Sequence, residues 1–440
     1  MKIKIYLNLL MSNRNFFAVY IFLLLYLSLI IAFYFGEDAL GGALSDYYGH
    51  FYISTKFNDN FIITFLNYNE LGHRHSPVFY FFRSLLFFLD ENIQKLFFLH
   101  LFLLIPFFFY KALKIKFKKI NRLNLKIISL IIFLFPAFRA YSIWPDPHLF
   151  GTLFFMIAIY YFVKFEKSDN RKRINYACLN IFFVALSSYI SPNFSVFSIF
   201  FFISFFLKYN FSKKTYLFLF LNLILAIPAF YYLFILDINF LSSSTGSWDI
   251  GGNFFSLQNL SNKFIIIPTI LIFYLLPFLI SKSINIDFKY FLKNKILILS
   301  IFFLFLFLTI NFNFYKVYIL TNSGGGFFYH LSQFFFKNNI LLFIVSFISI
   351  LIIFFISNKN YMNLILFICL IISNPQLTIW QANFSPAIYV FILLMFNFEF
   401  KNFFLEKKII MYNYIYFISF LIISILKNNI TNFINEIQIF

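Results

Sequence analysis

The hydrophobic positions of this chain neither alternate nor leave a polar face; they stand in long unbroken runs. Such runs exceed the length of a strand and match helices that cross a bilayer. Thirteen of them lie near 16–35, 93–110, 127–138, 148–163, 175–190, 193–207, 215–235, 264–281, 296–314, 339–357, 362–373, 386–398 and 409–426. The expected fold is all-α: a polytopic membrane helical bundle of about 13 spans, a single transmembrane domain over residues 1–440. The first run follows Lys2, Lys4 and Arg14 and is longer than a signal-peptide core, which predicts an uncleaved anchor. A further apolar stretch, Pro77 to Leu89, has only about 13 residues and suits an interfacial or re-entrant segment.

Charge tests that count. With 77–89 left out, the N-terminus is inside and the C-terminus outside. The inside segments are then 1–15, 111–126, 164–174, 208–214, 282–295, 358–361 and 399–408, and they hold 26 of the 35 Lys and Arg. Counting 77–89 as a span flips every later loop and places the KALKIKFKK and NRKR clusters outside, against the positive-inside rule. The formal charge of +19 is thus an orientation signal rather than a nucleic-acid footprint. With 62% hydrophobic and 12% charged residues, the chain has no room for a large water-soluble domain. The 78 Phe reflect a compositional bias and carry no functional meaning here. Cys178 and Cys369 lie in apolar runs without metal spacing.

The acids fall on the other side. Eleven of 16 Asp and Glu are outside on this topology, with His50, His73, His75, His148 and His330. Acids do little to set orientation, so the skew points to a polar site on the outer face. The first outer loop opens with Glu37 and Asp38 and continues as SDYYGHFY, a short amphipathic helix starting at a Ser45 cap. Asp46 and His50 then share a face, four residues apart. HRHSPVFYFF brings Arg74 and His75 to the start of the short apolar segment, where charge beside a hydrophobic dip suits a phosphate carried on a lipid. The second outer loop, FRAYSIWPDPHLFG, holds Arg139, Asp146 and His148; the prolines on either side of Asp146 fix its backbone. Later loops at 236–262, 315–338 and 374–386 carry the weaker candidates His330 and Gln376. No GxSxG, HExxH, CxxC or Walker motif is present.

The arrangement resembles the polyprenol-phosphate-sugar-dependent glycosyltransferases of the GT-C superfamily. In that family an acid stands on a juxtamembrane helix of the first outer loop, a Pro-aromatic segment ends the loop, and a second acid opens the fourth span. Asp46, SPVFYFF and Asp146 of PDPHLFGTLFF take those places. The resemblance covers 1–170, a catalytic-loop module, better than 171–440, a variable helical half. The paired acids common in the first loop appear here as Glu37–Asp38 rather than beside Asp46. The resemblance implies inverting transfer of a hexosyl or pentosyl group from a polyprenyl-phosphate donor to a hydroxyl of a glycan, lipid or other acceptor, on the outer face of what would be a bacterial inner membrane. Asp46 would take the acceptor proton. Arg74, His75, Arg139 and His148 would meet the leaving phosphate, with His50 beside them. Asp146 would orient His148, bind acceptor or help hold a divalent metal; the residues leave metal use undecided. The partners expected are the lipid-linked donor, the acceptor and membrane lipids, and no nucleic acid.

Two other classes fit a polytopic chain. A lipid-linked oligosaccharide flippase or transporter predicts charges within the spans, which are scarce. A polysaccharide polymerase or ligase concentrates arginines in large later loops, whereas this chain has seven Arg in all and its acids come early. The topology itself is testable. Cysteines placed at Asn170 and Asn253 are expected to differ toward an impermeant thiol reagent added from outside, with only position 253 labelled; equal or reversed labelling rejects it.

Overall fold

The computed structural model describes residues 14–71, 75–235, 256–284, 295–314, 324–357, 360–374, 378–401 and 406–438. Among them the chain is helical throughout, with no strand beyond one isolated bridge between Ile284 and Phe400. Each of the thirteen apolar runs overlaps a helix. Eight helices are long and apolar enough to cross a membrane, or nine if a bent pair counts as one span. The protein is therefore a multi-pass membrane protein.

The elements run as follows. Helix α1 is Arg14–Tyr34. The first loop contributes α2, Ala43–Asp59, α3, Phe61–Leu66, and α4, Val78–Ser84. Then come α5, Glu91–Lys116, and the bent pair α6, Arg122–Leu134, and α7, Pro136–Ile143. Helices α8, Pro147–Lys167, and α9, Asn170–Ile190, lie against each other along their lengths. They are followed by α10, Phe197–Tyr209, α11, Lys213–Phe234, α12, Leu257–Ile280, and α13, Lys295–Ile310. The chain closes with α14, Gly326–Phe336, α15, Ile340–Ser357, α16, Tyr361–Ile372, α17, Ala387–Leu394, and α18, Lys407–Gln438.

Helices α12 and α8 form the centre, with 78% and 72% of their apolar windows buried, against 17% for α1 and 11% for α11. The peripheral helices present Leu, Ile and Phe outward because lipid, not water, is their solvent. Pro77–Leu89 forms no helix of spanning length: α4 has seven residues, about 10 Å of rise, and ends in turns. The 67° bend between α6 and α7 falls at Phe135–Pro136, where Phe135 is extended and the proline ring cannot continue the preceding helix.

Contacts between distant segments respect the two ends of the bundle that the charges predict. At the basic end, Lys116 Nζ donates to the carbonyls of Leu394 (2.9 Å) and Phe396 (3.2 Å). There too Lys401 N donates to Ser283 O and Asn397 N to Asn363 Oδ1. At the acidic end, Ser424 Oγ donates to Ala39 O, Gly325 N to Ile379 O and Asn313 N to Asn262 Oδ1. The three glycines opening α14 all have positive φ, and a Cβ on Gly325 would run into the Tyr329 ring.

The first loop is anchored by its first two acids. Glu37 takes Arg139 of α7 through both oxygens, at 2.8 Å from Nε and 3.0 Å from Nη2. Arg139 also donates to the hydroxyl and carbonyl of Ser28, and Trp144 Nε1 donates to Glu37 O. One correction concerns the start of α2. Ser45 is not its cap; the helix begins at Ala43, and Gly42 at the cap position makes no side-chain bond. Asp38 does the work from farther back: Oδ1 accepts from Leu40 N and Gly41 N, and Oδ2 from Leu44 N. A carboxylate there satisfies open donors and complements the helix dipole.

Removing one partner of the Glu37–Arg139 pair strands a largely buried charge. Arg139→Ala is expected to cost about 3 kcal/mol or more and to lower the thermal unfolding midpoint of the purified protein. Glu37→Leu combined with Arg139→Met is expected to recover part of that loss. A double variant no better than Arg139→Ala rejects the ion-pair account.

Candidate active site

Asp146 ends the loop after α7 in extended backbone, as a residue before proline prefers, and Pro147 starts α8. Its Oδ1 accepts from His148 N at 2.6 Å, so the carboxylate caps the helix. Its Oδ2 lies 3.1 Å from Nε2 of His50, one turn beyond Asp46 on α2. The other ring nitrogen of His50 lies 3.1 Å from the Tyr80 hydroxyl of α4. An ionised carboxylate can only accept, so Nε2 donates to Asp146, and Nδ1 and the Tyr80 hydroxyl pair on the other side of the ring. The His75 ring meets the His50 ring edge-on, with centroids 5.7 Å apart.

His148 turns the other way. Its Nδ1 lies 3.3 Å from Ser191 Oγ, and its ring stacks on Phe194 at 5.5 Å. Gly151, one turn along α8, permits that approach: a Cβ there would come within 2.8 Å of Ser191 Cβ. His50, Asp146 and His148 are all buried, whereas Asp46 stands exposed at the edge of the same cluster.

The two carboxyls are driven apart. Partial desolvation, and then repulsion from Asp146, push Asp46 up to about 6. Burial alone would raise Asp146 as well, but the His50 hydrogen bond and the nearby His75 and His148 more than offset it and hold it below the usual carboxylate range. Two acids separated in this way suit different roles, one trading protons near neutral pH and one staying ionised.

The other expected residues divide. Arg139 is buried in its pairing with Glu37, and Glu37 and Asp38 serve the loop's anchor and the start of α2. His330 on α14 sits near Lys427 and the Gly324 backbone; burial and the lysine pull it down to about 4. Arg74, His73 and Gln376 lie outside the described residues. Among the described residues no three His, Cys, Asp or Glu side chains group as a metal would need. Tyr80 and Ser191 joined the cluster without being foreseen. Tyr80 could have been flagged as the one hydroxyl within the aromatic run VFYFF; Ser191 had no signal, because only the packing of α9 on α8 brings it to His148. No protein-family model, curated protein or solved structure matches the chain.

The shifted acids give opposite pH signatures. A carboxyl raised in the folded state contributes stability at low pH that is lost as pH rises through about 6. A lowered one contributes stability above the unfolded value, lost as pH falls through the folded one. Asp46→Asn is thus expected to raise the unfolding midpoint at pH 7.5 and to change it little at pH 4.5, while Asp146→Asn lowers it at pH 7.5. Thermal unfolding at both pH values checks this, and an Asp46→Asn effect equal at the two contradicts the raised carboxyl.

Proposed function

We propose that the protein is a membrane glycosyltransferase that moves a sugar from a polyprenyl-phosphate donor to a hydroxyl acceptor on the outer face, in the manner of the GT-C superfamily. The observation that carries this reading is the hydrogen-bonded Asp146–His50–Tyr80 chain, with the exposed Asp46 near enough to feel the charges of Asp146 and His50, at the end of the bundle opposite the basic loops. In this reading the apolar helices make 13 spans, with the N-terminus in the cytoplasm of a bacterial cell and the site facing away from it. A site there cannot draw on cytoplasmic nucleotide sugars, so a lipid-borne donor is the sensible supply.

Asp46 is the base. It is open to an incoming acceptor, and a carboxyl held near 6 is mostly ionised at neutral pH yet basic enough to take a proton as the hydroxyl attacks the anomeric carbon. The acceptor oxygen bonds to that carbon, the bond to the donor phosphate breaks, and the phosphate leaves with the electron pair. Asp146 stays ionised and orients the His50 ring. His75 lies edge-on to the His50 ring and completes the imidazole side of the cluster.

A second reading, transport of a lipid-linked glycan, is favoured by one observation. The α6–α7 helix is broken, and discontinuous helices commonly build transport sites. Assay of both activities in proteoliposomes separates the two.

Under the transfer reading, Asp46→Asn is expected to reduce sugar transfer at least about 100-fold, the lower range for general-base catalysis, while the protein still inserts. Glu37→Gln and Asp38→Asn are expected to cost less; Asn can still cap a helix start. kcat/KM of the wild type is expected to fall as pH drops through about 6. Near wild-type transfer by Asp46→Asn alongside a dead Asp38→Asn moves the base eight residues earlier and defeats the assignment.

A further inference from the structure

Helix α4 carries Tyr80 toward His50, and one turn later it carries Arg83 somewhere else. Arg83 is 1% exposed, and none of its guanidinium nitrogens makes a hydrogen bond among the described residues. The Tyr47 phenol lies close enough to favour its charge, although no pair of atoms meets full hydrogen-bond geometry. The guanidinium rests over two neighbouring aromatic rings, 4.3 Å from the ring centre of Tyr47 and 4.8 Å from that of Phe51. Lys95, on the first turns of α5, lies 5.2 Å from the Tyr47 ring centre and 4.8 Å from that of Trp144. Tyr47 thus has a cation over its ring from two different helices.

One carboxylate serves both cations. Glu91 holds Lys95 at 2.9 Å and accepts the Tyr47 hydroxyl at 3.1 Å, but it makes no hydrogen bond to Arg83. The Glu91 side chain is 42% exposed, so the cluster opens on that side. Cation–π contact offsets part of the cost of burying the guanidinium, yet leaves its donors without acceptors. A planar fork of five N–H groups is matched by two oxygens of a phosphate, and a second cation beside it suits the remaining charge.

We infer that Tyr47, Arg83 and Lys95 form a binding site for a phosphate group, entered past Glu91 and distinct from the carboxylate–imidazole cluster. Tyr47 directly follows Asp46, so a phosphate held here stands beside the proposed base. Just past Arg83 the chain exposes Leu85 (55%) and Phe88 (80%), apolar groups that would lie along a lipid tail. The phosphate comes from a lipid headgroup or from solution, and the chemistry is the same. The inference extends the transfer reading by naming its phosphate contact; its test reads binding alone, so either can fail without the other.

Trp144 is the reporter, because Lys95 lies over its ring. Emission of the full-length protein is titrated with inorganic phosphate in uncharged detergent micelles. It is also compared in phosphatidylcholine discs with increasing phosphatidic acid. A saturable change is expected in at least one arm, and Trp144→Phe is expected to remove it. A response to inorganic phosphate identifies a site for the free ion as well; a response only in the discs identifies a headgroup site. Arg83→Gln and Lys95→Gln are each expected to weaken binding at least about tenfold, the loss of one charge-assisted hydrogen bond. Arg83→Lys keeps the charge without the fork and is expected to fall between; with Lys95→Gln it decides the matter should Arg83→Gln not fold. Asp46→Asn is expected to bind still. No saturable change in either arm, or binding indifferent to both Lys95→Gln and Arg83→Lys, overturns the site.

Discussion

A buried carboxylate at a helix start is held by one imidazole from a loop 96 residues away, and the acidic end of the bundle is organised around that bond. Asp146 caps α8 through His148 N and so sits where the helix dipole favours negative charge. Its second oxygen reaches His50, which ties α2 of the first loop onto the entrance of α8. Tyr80 extends the chain to α4. An ionised carboxylate in such a place is costly without donors, so the loop that supplies His50 is held against the bundle rather than free above it.

The five acids near this bond divide their duties by position. Glu37 neutralises Arg139 and fixes where the first loop leaves α1; Asp38 feeds the open amides at the start of α2. Glu91 balances Lys95. Asp146 stays ionised under His50, and Asp46 alone combines an exposed carboxyl with a raised affinity for protons. The broken α6–α7 helix serves the same layout, because its second half points Arg139 at Glu37 and leads directly into Trp144 and Asp146.

Below this layer the physics is that of lipid. The central helices α8 and α12 are enclosed by protein and the peripheral ones are not, so both are apolar on nearly every side. That leaves little amphipathic pattern to say which helix stands where. Stacked aromatics fill the centre, such as Phe155 on Phe194 at 4.5 Å, and abundant Phe supplies them without specifying any one pair.

The apolar runs placed a helix at every expected span, because a segment in lipid has few options but to bond its own backbone, and that requirement is local. Pro77–Leu89 was legible as too short to cross, and Asp146 as fixed by its prolines, for equally local reasons. The convergence of His50 with Asp146 needed the first loop to fold back over α8, and the Ser191 contact of His148 needed α9 to pack on α8. The diversion of Arg139 into an ion pair, the displacement of the helix start from Ser45 to Ala43, and the burial of Arg83 against Tyr47 and Phe51 were equally invisible. Hydropathy and charge act residue by residue and are read along the chain. Partners for a buried polar group are chosen in space, where the nearest donor belongs to whichever helix the packing brings up.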